Sequence, residues 1–413
     1  MISARRSTPD APSVLLVVPW DQTLGGVNTV VRNLARLLQD AGRAPLFLFP
    51  GSTIAPRDGV SRLGFPAVYI NLRPPVVRRR PLRSVLAFLM TAPLALRQLV
   101  RLVRERGIDV VNVHYPDLDY VYFVALRRLT GVRLVTSVHG ADLTGLPKGS
   151  IAHWWMGRLL AGSDVVVAPS QEFAEFVRSE YPALGARIVA IANGVDVQAV
   201  RDMASSATLP AGWTPPQEPY CVCVAALNEK KAHDTLLRAF AQVREPVRLI
   251  LVGDGPLRAE LTRLVAELAL GERVEFAGVQ PPPVVAKLLA GAQCAVLASR
   301  NEPFGIAAVE AMAVGTPVIA TNVGGLREIV TDDETGLVVP VDDERALTAA
   351  LIRLTSDAEL RQRLGRAAAD RAQSLFDWRE RTARYLDAAY SDAGTSLAGG
   401  RRVSPSAPAA TRA

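Results

Sequence analysis

Cysteine is scarce in this sequence: three residues in 413, with no metal-binding spacing among them. Cys221 and Cys223 alternate within an apolar run, so both are predicted to point to one face of a strand as reduced core residues, and Cys294 stands alone. No secretory leader is legible. The first apolar run, "VLLVV", is five residues long and lacks a cleavage site. A reducing, cytoplasmic compartment is the expectation. Long hydrophobic runs are also missing. In the most apolar basic region the longest stretch without a charge, Ser84 to Leu96, has 13 residues and contains Pro93. Spanning a bilayer takes about 20.

Acidic residues are depleted in one place. Residues 73–107 hold nine arginines and one acid, whereas the chain as a whole carries a net charge of +7. No aromatic-rich recognition motif accompanies these arginines, so nucleic acid is not the expected partner. Arg97, Arg101 and Arg104 recur at helical spacing beside Leu99, Val100 and Leu102. That pattern predicts either a helix lying on an anionic membrane surface or an ordinary half-buried helix with a solvated arginine face.

What is present is globular. Hydrophobic residues make up 49% and charged residues 21%, and 413 residues exceed one ordinary core, which predicts two domains. Short β-rich runs alternate with helix-length segments: "SVLLVVPW" (13–20), "DVVNVH" (109–114), "VRLVTSVHG" (132–140), "DVVVAPS" (164–170) and "RIVAIANG" (187–194). The period then breaks in "SSATLPAGWTPPQEP" and resumes with six further runs from "YCVCVAAL" (220–227) to "GLVVP" (336–340). This order predicts parallel sheets covered on both faces. The predicted organisation is a disordered tail 1–12, a first Rossmann-like domain 13–204, a linker 205–219, a second Rossmann-like domain 220–375, a closing helix 376–391 and a disordered tail 392–413. In open α/β sheets, ligands bind beyond the carboxyl ends of the strands, so functional residues are sought there.

The most informative stretch is "ASRNEPFGIAAVEAMAVGTPVIATNVGG" (298–325). Glu302 precedes a predicted helix start at Phe304-Gly305-Ile306, where free N–H groups and a partial positive charge suit phosphate. Gly305 lets the backbone approach an anion. Glu310 lies inside the helix, about 6 Å further along its axis. Two carboxylates so placed can flank a diphosphate and accept hydrogen bonds from diols on either side of it.

The string "NEPFGIAAVEAMAVGTPVIATNVGGLREIV" resembles the E-x7-E signature of retaining glycosyltransferases of family 4, and matches such as "GGVNTVVRNLARLL" (25–38), "SVHGADL" (137–143), "IANGVD" (191–196) and "VGDGPLRAEL" (252–261) extend over nearly the whole chain. The resemblance implies the GT-B fold, two Rossmann-like domains facing a central cleft, and sugar transfer from a nucleotide-sugar. It implies that Glu302 contacts the donor sugar and Glu310 the ribose, and that amides near Phe304, Gly305 and Ile306 contact sugar and phosphate. Gly25 and Gly26 would let backbone approach the diphosphate and acceptor, and His139 would lie near the reacting sugar. Val279 would meet the base through its backbone, and Asn193 and Asp196 would serve as turn and packing residues. "FDWRERTARYLDAAY" (376–390) resembles the family's last helix, anchored by Phe376 and Trp378.

One position departs from the pattern. Where the family often has an Arg and then, five residues on, a Lys on the diphosphate, this sequence has Ala226 and Lys231. Lys230 or another group would have to compensate, or donor binding differs. The resemblance implies no cofactor and no metal; Asp117-Leu118-Asp119 is the one D-x-D, at the start of a helical segment. The expected partners are a nucleotide-sugar donor, a saccharide or lipid-linked saccharide acceptor, and the inner-membrane surface through residues 73–107. The rival reading is a protein that binds a nucleotide-sugar without transferring it. An epimerase or a phosphorylase would need acid-base residues or a cofactor lysine that the sequence does not offer.

Overall fold

The structure, a computed structural model, describes residues 13–22, 26–51, 56–76, 81–206, 214 and 216–390. It contains two α/β units. The first is built on eight strands: β1 (Ser13–Val17), β2 (Pro45–Pro50), β3 (Arg57–Val60), β4 (Pro66–Ile70), β5 (Ile108–His114), β6 (Arg133–Ser137), β7 (Val165–Ala168) and β8 (Ile188–Ala190). Their order is β3-β4-β2-β1-β5-β6-β7-β8. The second unit has β9 (Tyr220–Val224), β10 (Arg248–Val252), β11 (Val274–Gly278), β12 (Cys294–Leu297), β13 (Val318–Thr321) and β14 (Gly336–Val339), in the order β11-β10-β9-β12-β13-β14. The chain reverses its direction of travel across the sheet at β1/β5 and again at β9/β12, and crevices form at such points.

Two features depart from the sequence reading. The first sheet is not wholly parallel: β3 runs antiparallel to β4 at the edge. Its residues, Arg-Asp-Gly-Val, are all exposed, so no apolar alternation marks it as a strand. Strands β2 to β4 were not read at all. Prolines bound β2 on both sides and open β4, and proline is ordinarily a strand breaker. Strands β5 to β14 fall within the predicted apolar runs because most of them are buried on both faces and rich in Val, Ile, Leu and Ala; β8 and β11, each at a sheet edge, are only partly buried.

The three cysteines are free and buried. Cys221 and Cys294 on paired strands β9 and β12 place their sulfurs 3.4 Å apart in the core of the second unit. The expected linker 205–219 and both tails fall largely or wholly outside the described residues.

The helix Ala358–Phe376 ends against the second core, where Phe376 packs, and the chain then crosses to the first unit. Val195 N–H donates to Phe376 O, and Trp378 N–H donates to Val195 O, both at 3.0 Å. A Cβ at Gly194 would lie 2.3 Å from Phe376 O, so only glycine permits the approach. Trp378, Tyr385 and Tyr390 then bury themselves beside the helix Gly26–Asp40. Asn112 on β5 donates to Tyr390 OH (2.7 Å) and Tyr385 OH (3.2 Å), which fastens the closing segment to the first sheet.

Candidate active site

The carboxyl ends of both sheets face one cavity of about 1070 Å³. Its walls touch at the rim. Ser170 Oγ donates to Pro303 O at 2.8 Å, Glu172 N–H donates to Glu328 at 2.8 Å, and Lys230 Nζ donates to Thr144 Oγ1 at 3.1 Å. Gly140, at φ +120°, packs so tightly on Pro303 that a Cβ would sit 2.1 Å from the proline ring.

Glu302 stands in the loop after β12. Gly325 N–H donates to its carbonyl at 2.9 Å. Its carboxylate accepts from Lys231 Nζ at 2.5 Å, and the two side chains are only 11% and 22% exposed. Lys231 ends the short 3-10 turn Glu229–Lys231 after β9, and Lys230 O accepts from Arg300 N–H at 2.8 Å, which ties this turn to the Glu302 loop. Gly305, at φ +114°, caps the helix Ile306–Ala313 and gives it an open N-terminus facing the cavity. Ile306 lines the cavity too. Phe304 is different. Its ring is buried in the second core against Phe376, so only its backbone is available to a ligand.

Glu310 lies further along this helix, and burial pushes its carboxyl up to about 7 despite the opposing charge of Arg32 on the first domain. Val279, after β11, is exposed at the second domain's side of the cavity. Gly26 opens the helix Gly26–Asp40, and a Cβ there would meet nothing within 4 Å, so packing does not demand the glycine. Gly25 lies outside the described residues. Asp196 caps the helix Val197–Ser205 by accepting from Ala199 N–H at 3.0 Å, while Asn193 and Ala226 line the cavity.

His139 follows β6, and burial lowers it to about 4, so the ring is neutral at physiological pH. Asp142 holds the turn by accepting from the N–H groups of His139 (3.0 Å) and Gly140 (2.6 Å), and burial raises this acid to about 6. His139 Nε2 shares a hydrogen bond of 3.1 Å with His114 Nδ1, and burial holds His114 neutral as well. His114 escaped the sequence reading. Its signal was its place at the end of β5, the same post-strand position that singled out His139. Tyr115, also missed, follows it in the left-handed region (φ 58°), lines the cavity and packs on Trp20 with ring centroids 5.1 Å apart. A bulky side chain held at positive φ is an outlier of the kind that clusters at ligand sites. Asp117 and Asp119 are not in the cavity lining; Asp117 caps its own turn through Leu118 N–H at 2.7 Å. Among the described residues no group of three or more His, Cys, Asp or Glu is placed to hold a metal ion.

The profile of glycosyl transferases group 1 matches residues 210–371, and that of glycosyltransferase family 4 matches residues 24–199. A D-inositol 3-phosphate glycosyltransferase from Thermomonospora curvata is 32% identical over 295 residues, 65% of this chain and 68% of that protein. The chain belongs to glycosyltransferase family 4. Other relatives of this glycosyltransferase differ in their acceptors. An N-acetyl-alpha-D-glucosaminyl L-malate synthase from Bacillus anthracis is 27% identical over 86% of this chain and 91% of its own. A GDP-mannose-dependent alpha-(1-6)-phosphatidylinositol dimannoside mannosyltransferase from Mycobacterium tuberculosis is 28% identical over 88% and 91%. Among solved structures, a sucrose-phosphate synthase from Thermosynechococcus elongatus superposes with a TM-score of 0.74 at 25% identity, covering 91% of this chain and 98% of that one. The fold of this glycosyltransferase is GT-B, and its activity is glycosyl transfer.

Proposed function

We propose that this glycosyltransferase is a retaining hexosyltransferase that moves a sugar from a UDP- or GDP-sugar onto a lipid-linked saccharide, in the assembly of a surface polysaccharide or glycolipid. The observation that carries the reading is the Lys231–Glu302 pair on the second domain's wall of a cavity whose other wall presents a neutral His139. The donor diphosphate lies at the N-terminus of the helix Ile306–Ala313, where the amides near Phe304, Gly305 and Ile306 receive it. Glu310 accepts from the ribose hydroxyls, and the Val279 backbone meets the base. Glu302 and His139 orient the sugar, with His114 as a positioning residue that fixes the His139 ring. Gly26, with Gly25, lets the diphosphate and acceptor come close to the first domain, and the Trp20–Tyr115 pair offers the acceptor an aromatic wall.

In the reaction the bond from the anomeric carbon to the departing β-phosphate oxygen breaks. The acceptor oxygen bonds to the same face of that carbon, and its proton passes to the departing phosphate oxygen. Lys231 and the helix amides stabilise the charge that grows on the diphosphate, so the protein acts by positioning and electrostatics. The route needs no cofactor and no metal.

The lipid-linked acceptor is supported by the helix Pro81–Arg106. Its second half packs Ala95, Leu99, Leu102 and Val103 into the core, while Leu82, Leu86, Leu89 and Met90 in its first half are more than half exposed. Contrary to the expectation from its 13-residue charge-free run, the segment Leu82–Arg106 is long and apolar enough to cross a membrane by length and composition, because the arginines at its ends fall outside the most apolar 18 residues. A helix half built into a domain core is instead suited to lie on a cytoplasmic membrane face, with its arginines toward anionic headgroups.

The test is nucleotide release from UDP-, GDP- and ADP-sugars in EDTA, with and without a membrane extract. Release from one donor, stimulated by membranes, is expected. Binding without release from any donor would leave a non-catalytic nucleotide-sugar protein, the reading favoured by Ala226. Flotation with anionic vesicles tests the membrane arm: the wild type should float and Leu86→Glu/Met90→Glu should not.

A further inference from the structure

Ala226 lines the second domain's wall of the cavity where the family pattern often has an arginine, and the structure places positive charge on the opposite wall. Lys230 is held at the rim on Thr144, and Lys231 is paired with Glu302. The other cationic residues lining the cavity are Arg32 and Arg36 of the helix Gly26–Asp40, on the opposite wall. They are four residues apart, hence neighbours on one helical face, where like charges repel. Arg32 is half-buried, and its Nε is enclosed with no hydrogen-bond partner. Among the described residues neither guanidinium has a partner in an ion pair or a hydrogen bond. Glu310, across the cavity, is the one acid whose charge favours ionised Arg32, while burial and Arg36 oppose it.

A desolvated guanidinium without a partner is costly, and a second one beside it raises the cost. A concave wall with low-dielectric sides concentrates the resulting field. A phosphoryl group answers both: its oxygens accept bidentate hydrogen bonds from guanidinium, and its charge offsets the repulsion. Asn33, also lining the cavity between the two arginines in sequence, adds a neutral donor.

We propose that Arg32 and Arg36 form a phosphate-binding site on the first domain's wall of the cavity. Two sources of that phosphate share the chemistry: the donor's diphosphate, reached from the opposite domain in place of the side chain missing at Ala226, and a phosphate carried by the acceptor. The first source rests on the nucleotide-sugar reading above; the site itself does not.

The experiment is calorimetric titration of the whole protein with inorganic pyrophosphate, orthophosphate, UDP, GDP and ADP, in wild type, Arg36→Ala and Arg32→Gln/Arg36→Ala. Arg36 is exposed, so Arg36→Ala keeps the fold even if the double variant unfolds, and thermal midpoints verify this. The double variant should bind pyrophosphate or orthophosphate at least 10-fold more weakly, and Arg36→Ala about 3-fold more weakly. A parallel loss of nucleoside-diphosphate affinity assigns the site to the donor. Retained nucleoside-diphosphate affinity, with orthophosphate still binding to nucleotide-saturated wild type and not to the variants, assigns it to the acceptor. Loss of inorganic-anion binding in a protein that takes no nucleotide upholds the site and overturns the donor reading. Wild type that binds neither inorganic anion, or variants that match it, overturns the proposal.

Discussion

Gly324→Ala is expected to slow sugar transfer about 100-fold without unfolding the protein. Gly324 sits at φ +53°, and an ideal Cβ there would lie 2.0 Å from the carbonyl oxygen of Glu302. Real Cβ atoms do not come within 3.0 Å, so that carbonyl must retreat by about 1 Å. The move would loosen the bond from Gly325 N–H and shift the carboxylate that Lys231 holds. A misplacement of about 1 Å costs on the order of 100-fold when catalysis works by positioning. The left-handed conformation adds about 1–2 kcal/mol for a residue with a Cβ. Gly131→Ala provides the control. It has φ +76° at the end of the helix Val121–Thr130 and nothing within 4 Å of its Cβ, so it should carry the conformational cost alone. Initial rates of nucleotide release and thermal midpoints are measured on both. Both variants should lose a few degrees, and only Gly324→Ala should lose activity. Full activity in Gly324→Ala, or an equal loss in Gly131→Ala, would refute the reasoning.

Expectations at three further positions follow from the geometry. Burial raises Glu310 from 4.5 to about 7, so its contribution to stability is full below pH 4.5 and is lost as pH rises through 7; Glu310→Gln should flatten denaturant midpoints over that range. The ionised Glu310 carboxylate accepts more strongly from ribose hydroxyls than its protonated form does, so donor affinity should strengthen, by at most about 10-fold, from pH 6 to pH 8 in wild type and stay level in Glu310→Gln. His114→Phe removes the hydrogen-bond partner of His139; kcat should fall about 10- to 100-fold with donor Kd unchanged, and His114→Asn should recover part of it. Trp378, buried where the chain crosses back to the first domain, should cost about 3–5 kcal/mol on truncation to Ala, read as a lowered midpoint.

Much of the fold was legible because a buried parallel strand free of proline announces itself locally, as "VRLILVG" (247–253) and "DVVVAPS" (164–170) do over Arg248–Val252 and Val165–Ala168, whereas the prolines at β2 and β4 masked theirs. The edge strand Arg57–Val60 did not, because solvent on every residue removes the apolar signal. The stretch 298–325 was legible for a related reason: loop, glycine cap and helix are contiguous, so the relation of Glu302 to Glu310 is set by local geometry. Contacts made by chain folding were not. His114 meets His139 from another strand, and Arg32 faces Glu310 from another domain. Neither pair has a sequence spacing that could reveal it. Phe304 shows the opposite limit: it belongs to the motif, yet its ring serves the core.

The central claim is that Lys231, held in place by Glu302, stabilises the leaving diphosphate of a nucleotide-sugar. The most direct measurement is the rate of nucleotide release from the preferred donor by wild type and Lys231→Ala, side by side in EDTA. A loss of about 100- to 1000-fold in the variant, the effect of removing one preorganised donor to developing charge, is expected. Equal rates in the two proteins would contradict the account.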